Sequence, residues 1–267
     1  MIQKIFLKDM KLNYFCLLLG IMFLSVGEIF SQGEVDSSYK IMYRNEKGVG
    51  LFLNSNGFGI NYRKAKSLDG YRKSFLEFDF NYVSHPREIR MIDPYLPNAS
   101  RYVYGKVNVF VNFRAVFGRQ KEIYSKFDKN SIAIRYFYAG GVVAGILKPI
   151  YYEVFRPNGN IIEKFDSQKH RSGDIVGKAS FFEGISETTL TPGATIKGGF
   201  IFDFSTQDTK IRNLEVGAVL DVYPRVMKIM ESDDNQWALL SLFVCYRFGR
   251  IYSTVAADKS KDLEKNE

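Results

Sequence analysis

The residues of this 267-residue chain that most readily suggest chemistry are its two histidines, His85 and His170. Each has a serine and a carboxylate close by in sequence: Ser84 and Glu88 around the first, Ser167 and Asp174 around the second. A serine activated by histidine, with an acid to orient the ring, cleaves ester bonds. At the rim of a membrane protein such a set would make an outer-leaflet lipid hydrolase. Serines and acids occur in any polar loop, however, and the plainer reading is two exposed, solvated histidines. Two loop histidines also fall short of a zinc ligand set, so neither a metal nor a cofactor is expected. Gly140-Gly141 and Gly198-Gly199 lack the Lys-Ser/Thr that would make a phosphate loop, and read instead as points where strands bend.

A larger group of ionisable residues falls on one face of alternating segments. Its bases are Arg63, Lys106, Arg114, Arg135, Lys197 and Arg247; its acids are Glu77, Asp79, Asp203, Glu215 and Asp221. Pointed into an eight-stranded barrel, these side chains would meet in a space only wide enough for them to fill. An unpaired buried charge is costly, so near-balance of sign predicts a paired, sealing lattice in preference to a narrow ion path. Glu77 and Asp79 are expected to face Arg114 and Lys106 across neighbouring strands.

The elements that must position these groups are strands of period two. Segment 101–117 alternates Val107, Val109, Val111, Phe113 and Phe117 with Lys106, Asn108, Asn112 and Arg114. Segments 71–83, 194–204, 214–223 and 237–248 repeat the pattern, and weaker strands are expected over 47–54, 57–65 and 131–147. The seven prolines fall between these segments or at their ends, as residues that cannot donate to a ladder should. Asn56-Gly57 marks a tight hairpin. The long connections 84–100, 148–193 and 224–236 all lie on one side, the asymmetry of an outer-membrane barrel. A soluble sandwich also alternates, but its polar face is solvated, whereas here that face mixes opposite charges with Asn, Gly and Ser. The last strand ends in alternating aromatics at Phe248. The expected fold class is all-β, a closed antiparallel transmembrane β-barrel of about eight strands, spanning 47–252.

The flanking segments fit that placement. Lys4, Lys8 and Lys11 precede the apolar run Tyr14–Val26, with Ser31 before Gln32 as the cleavage point, so 1–31 reads as a removable secretion signal, with Met10 an alternative start. The run is too short for a membrane anchor, and Cys16 lies inside it, away from a lipid-attachment position. Residues 32–46 would form a periplasmic segment and 253–267 a disordered periplasmic tail. Without the signal, 34 basic residues stand against 27 acidic ones, and the net charge falls from +8 to +7. The bases alternate with apolar residues, and secretion removes the chain from nucleic acid, so outer-membrane lipids and other envelope or secretion proteins are the expected partners. Bases crowd the second turn at Arg63, Lys64, Lys66, Arg72 and Lys73, against Asp69 alone, which suits anionic inner-leaflet headgroups. Lys148-Pro149-Ile150-Tyr151-Tyr152 reads as a tyrosine girdle at the membrane boundary.

The stretches SHPREI (84–89), RYVYGKVNVF (101–110), FGRQKEIYSKFDK (117–129) and GILKPIYYEV (145–154) resemble an uncharacterised family of outer-membrane barrels from Bacteroidota. The resemblance covers most of 45–155. In architecture alone the chain is similar to PorT-like barrels of the type IX secretion machinery. The resemblance implies an outer-membrane barrel, and with no strong catalytic motif in the sequence the expected role is non-enzymatic: structural, assembly or secretion-accessory, and non-conducting. The resemblance attaches no reaction or ligand, since fold alone does not carry function.

Overall fold

The computed structural model describes residues 44–92, 99–126, 131–157, 159–166, 169–206, 209–231 and 235–253. The expected signal, most of the segment 32–46 and the tail after Ser253 lie outside the described residues.

Alternating sequence becomes a closed wall. The strands are β1 (Arg44–Asn54), β2 (Gly57–Ser67), β3 (Arg72–Val83), β4 (Arg90–Met91), β5 (Tyr102–Val103), β6 (Asn108–Tyr124), β7 (Ala133–Pro149), β8 (Tyr151–Val154), β9 (Ile161–Lys164), β10 (Ile175–Lys178), β11 (Thr189–Asp203), β12 (Lys210–Val222) and β13 (Ala238–Ser253). Eight of them form a closed antiparallel barrel in the order β1-β13-β12-β11-β7-β6-β3-β2. β8, β9 and β10 make a small separate sheet, and β4 pairs with β5.

Along each barrel strand one face is buried and the other exposed. Leu51, Leu53, Phe58, Ile60, Phe80, Phe117, Val142, Ile196, Phe200, Leu240 and Leu242 all point outward and are exposed. This apolar belt is much larger than a soluble monomer shows. At the end of the barrel that holds Arg44 and Ser253, the outward residues change character. Lys64, Lys47, Arg250 and Lys210 stand side by side on four neighbouring strands, all exposed. Like charges directly opposite one another repel.

Several strand boundaries differ from the sequence expectation, among them the start of β1 at 44, the start of β12 at 210 and the end of β13 at 253, and two differences have a local cause. The fourth barrel strand runs over 108–124, not 101–117. Gly105 takes a left-handed backbone (φ 78°) that breaks the ladder, and Tyr102–Val103 pairs with Arg90–Met91 instead. Beyond Phe117 the next outward positions are Arg119 and Lys121, so the apolar half of the alternation is interrupted while the strand continues. Pro192 lies inside β11, opposite Ala144. The pairing of β11 with β12 begins only at Ala194, so Pro192 has a ladder on one side alone and a proline is tolerated there.

The paired glycines divide into two kinds. A Cβ on inward Gly141 would lie 2.1 Å from the Ala115 carbonyl oxygen, whereas one on Gly140 would meet nothing closer than 3.8 Å. Gly141→Val should therefore abolish the folded, heat-modifiable band on gel electrophoresis, while Gly140→Val should retain it.

Candidate functional site

The interior is built in layers. At its centre, Glu77 on β3 and Glu215 on β12 alternate with Arg63 on β2 and Arg247 on β13. Arg63 donates through Nε to Glu77 and through Nη1 and Nη2 to Glu215 at 2.9 and 3.0 Å. Arg247 donates through Nε to Glu215 at 2.8 Å and through Nη2 to Glu77 at 2.8 Å. Lys197 on β11 then bridges Glu77 (2.5 Å) to Asp79 (3.1 Å). Asp79 stands 3.9 Å from Arg114 on β6, whose guanidinium grips Asp221 in a bidentate pair at 2.8 and 2.6 Å. Thr195 and Asn112 also donate to Asp221, and the Tyr223 hydroxyl donates to Asn112.

This lattice holds four bases and four acids, drawn from six strands, all buried. β1 and β7 contribute space rather than charge: Gly48 lies beside the Arg247 side chain, and Gly50 beside Asn61 and Cys245. Phe75 lies 4.2 Å from the Arg63 guanidinium and Phe243 lies 4.7 Å from Lys197 Nζ, so aromatic faces cover the cations that the carboxylates leave open.

Toward the end of the barrel that holds Arg44 and Ser253 a second cluster repeats the balance. Arg135 pairs with Glu46, Glu122 and Asp203, Lys73 pairs with Glu46, and Lys126 with Asp203. Three bases again meet three acids. Arg135 and Asp203 therefore belong to a lower cluster, apart from the central one. Glu46, Lys73, Glu122 and Lys126 were not among the residues assigned to the interior from sequence. Glu46 precedes the expected barrel start at 47, and Glu122 follows the expected strand end at 117. Lys73, which was counted with the turn, has the same parity as Glu77.

Lys106 is a correction. It lies above the barrel wall, after the turn at Gly105, and its Nζ donates to Glu88 at 2.6 Å and to the Tyr82 hydroxyl at 2.9 Å. It faces neither Glu77 nor Asp79.

The opposite mouth is closed by apolar side chains. Tyr223, Met227, Ile229 and Met230, from the connection after β12, pack on Val83, Phe110, Val143 and Leu147. Backbone bonds from Val107 and Asn108 to the Ile229 carbonyl tie this plug to the start of β6. Beside it, the β8–β10 sheet packs Tyr152, Val154, Phe165 and Ile175 against Tyr102, Val109 and Ile150. Ile150 and Tyr152 are thus cap core, not girdle. The Tyr152 hydroxyl lies 2.8 and 2.7 Å from the carbonyl oxygens of Val103 and Lys106, and burial raises its pKa well above the usual phenol range.

The histidines are placed differently from the expectation of two solvated rings. His85 is half-buried, and its Nδ1 accepts the Arg87 N–H. His170 is buried in the cap, where its Nδ1 accepts the Asp166 N–H at 3.1 Å and its Nε2 is 3.4 Å from Glu163. Among the described residues no serine hydroxyl bonds to either ring; Ser167 lies outside them. Asp174 turns back onto the Arg171 N–H.

No protein-family model matches the chain, and no curated protein matches it. Among solved structures it is similar to Ail, the attachment invasion locus protein of Yersinia pestis (8% identity, 79% of this chain and 97% of that one, TM-score 0.37). It is also similar to Neisserial surface protein A (5% identity, 78% and 96%, TM-score 0.36) and to the N-terminal β-barrel domain of Pseudomonas aeruginosa OprF (7% identity, 77% and 98%, TM-score 0.35). Overall scores this low carry nothing about role. The closed barrel itself stands on the strand pairing.

The central lattice can be tested by removing one carboxylate. Glu215→Gln leaves Arg63 and Arg247 short of a counter-charge in a buried setting, and should cost about 3–5 kcal/mol of unfolding free energy in lipid or detergent. Asp69→Asn, which breaks the exposed pair with Arg72, should leave the unfolding midpoint unchanged.

Proposed function

We propose that this chain is an outer-membrane β-barrel that does not conduct ions and serves a structural, assembly or secretion-accessory role through its outer cap. The observation that carries the reading is the inversion of polarity: an apolar exterior surrounds a charge-neutral, filled interior. Only closed barrels and helices satisfy every backbone group in a bilayer, and an outward apolar band with a polar lumen is the pattern of a membrane barrel. The cation row of Lys64, Lys47, Arg250 and Lys210 supports the orientation. It borders the belt at the barrel end that holds Arg44 and Ser253, away from the long connections, where anionic phospholipid headgroups would offset its repulsion. The larger connections then project outward, and envelope or secretion proteins are the partners such a cap would meet.

Reconstituted in planar bilayers, the mature protein should give no steady conductance, and in cells it should fractionate with outer membranes. Salt-dependent channel steps in the wild type would contradict a sealed lumen. Recovery as a soluble periplasmic protein would contradict the membrane placement.

A further inference from the structure

We propose that the crevice between the barrel wall and the overhanging β4–β5 hairpin binds the phosphate-bearing headgroup of a membrane lipid. The proposal rests on the membrane placement above and adds a ligand site to it. The crevice has a volume of about 260 Å³ and gathers Arg90, Arg101, Lys106 and Lys178 with a single acid, Glu88. Glu88 is already committed: Oε1 accepts the His85 N–H and Oε2 accepts from Lys106. Among the described residues Arg90, Arg101 and Lys178 have no ion-pair partner. Three exposed positive side chains, from β4, the residue before β5 and β10, therefore line one small space whose single acid is already engaged. Partial burial, with a smaller contribution from the nearby cations Lys106 and Lys148, pushes the Lys178 pKa down.

Geometry selects the source of the anion. The crevice is lined by Tyr82 and Val109, which lie at the outer ends of β3 and β6 on the outward side of the barrel. The Tyr82 ring lies 5.6 Å from that of Phe58, and Phe58, Ile60 and Phe80 continue the exposed apolar surface below it. A ligand with phosphate in the crevice could therefore lay an acyl chain along this surface. Arginine favours such a group because its fork matches phosphate oxygens in bidentate bonds. Free phosphate would use the cations and leave the apolar strip unused.

The test uses the full mature chain in neutral detergent micelles, with fluorescent phosphatidic acid as the probe and the matching diacylglycerol as its uncharged control. Phosphatidic acid should bind and diacylglycerol should not. Arg90→Gln/Arg101→Gln/Lys178→Gln should weaken binding by about tenfold or more, from the loss of charge-assisted bonds. The charge-matched variant Lys164→Gln/Lys169→Gln/Lys228→Gln, at exposed cations outside the crevice that already have carboxylate partners, should stay within about twofold, since general electrostatic attraction is screened by salt. Heat-modifiability shows that each variant is folded. Equal losses in the two variants, or none in the first, would overturn the site. Inorganic phosphate competing as tightly as the lipid would overturn the lipid assignment. Flotation of the wild type with phosphatidylcholine vesicles reads membrane insertion separately, so its failure is distinguishable from failure of the site.

Discussion

Ionised side chains inside a narrow barrel have no water to fall back on, and this constraint organises much of the molecule. Each cation must find its anion within the wall, and the sum must be close to zero. The chain meets the demand twice, with four bases against four acids at the centre and three against three toward the end that holds Arg44 and Ser253. Because partners sit on different strands, the lattice acts across the barrel rather than along it. Arg63, Glu77, Arg247 and Glu215 tie β2, β3, β13 and β12 together, and Arg114 with Asp221 joins β6 to β12. Only one register of the wall brings these groups together. A slip of one residue in any of these strands would send a charge outward into the apolar belt. The lattice therefore specifies register as well as filling space.

Space for the long side chains comes from neighbours that have almost none. Gly48 and Gly50 on β1 and Ala139 and Gly141 on β7 face the interior where guanidinium and carboxylate groups cross it. Aromatic rings beside them cover the cations. Above, the apolar plug formed by Tyr223, Met227, Ile229 and Met230 separates the lattice from the outer side. The barrel is thus closed by two unlike devices, ionic in the middle and apolar at the mouth.

How much of this was legible in sequence depended on parity. Period-two alternation assigns a side chain to one face without any knowledge of its partner, so ten of the eleven ionisable residues read as interior are buried in the wall. It says nothing about where a strand stops. Lys106 has the same parity as Arg114, but the turn at Gly105 takes it out of the wall. Glu46 and Glu122 were missed because the apolar half of the pattern ends before the strands do, where the outward face reaches a polar boundary. The long connections that build the cap and plug were legible in sequence, but their internal packing was not. Tyr152 and His170 are buried by contacts between loops distant in sequence, and neither leaves a periodic mark. A tyrosine near a predicted membrane boundary looks the same in sequence whether it faces lipid or a small sheet.

The most direct measurement of the central claim is a double-mutant cycle on Arg114 and Asp221, read as unfolding free energy in a reconstituted bilayer. If the lattice is held by mutual neutralisation, Arg114→Met and Asp221→Leu should each destabilise strongly. The double variant should then recover much of the loss, because neither stranded charge remains. Additive effects of the two substitutions would show that these groups do not depend on each other, and would contradict the account.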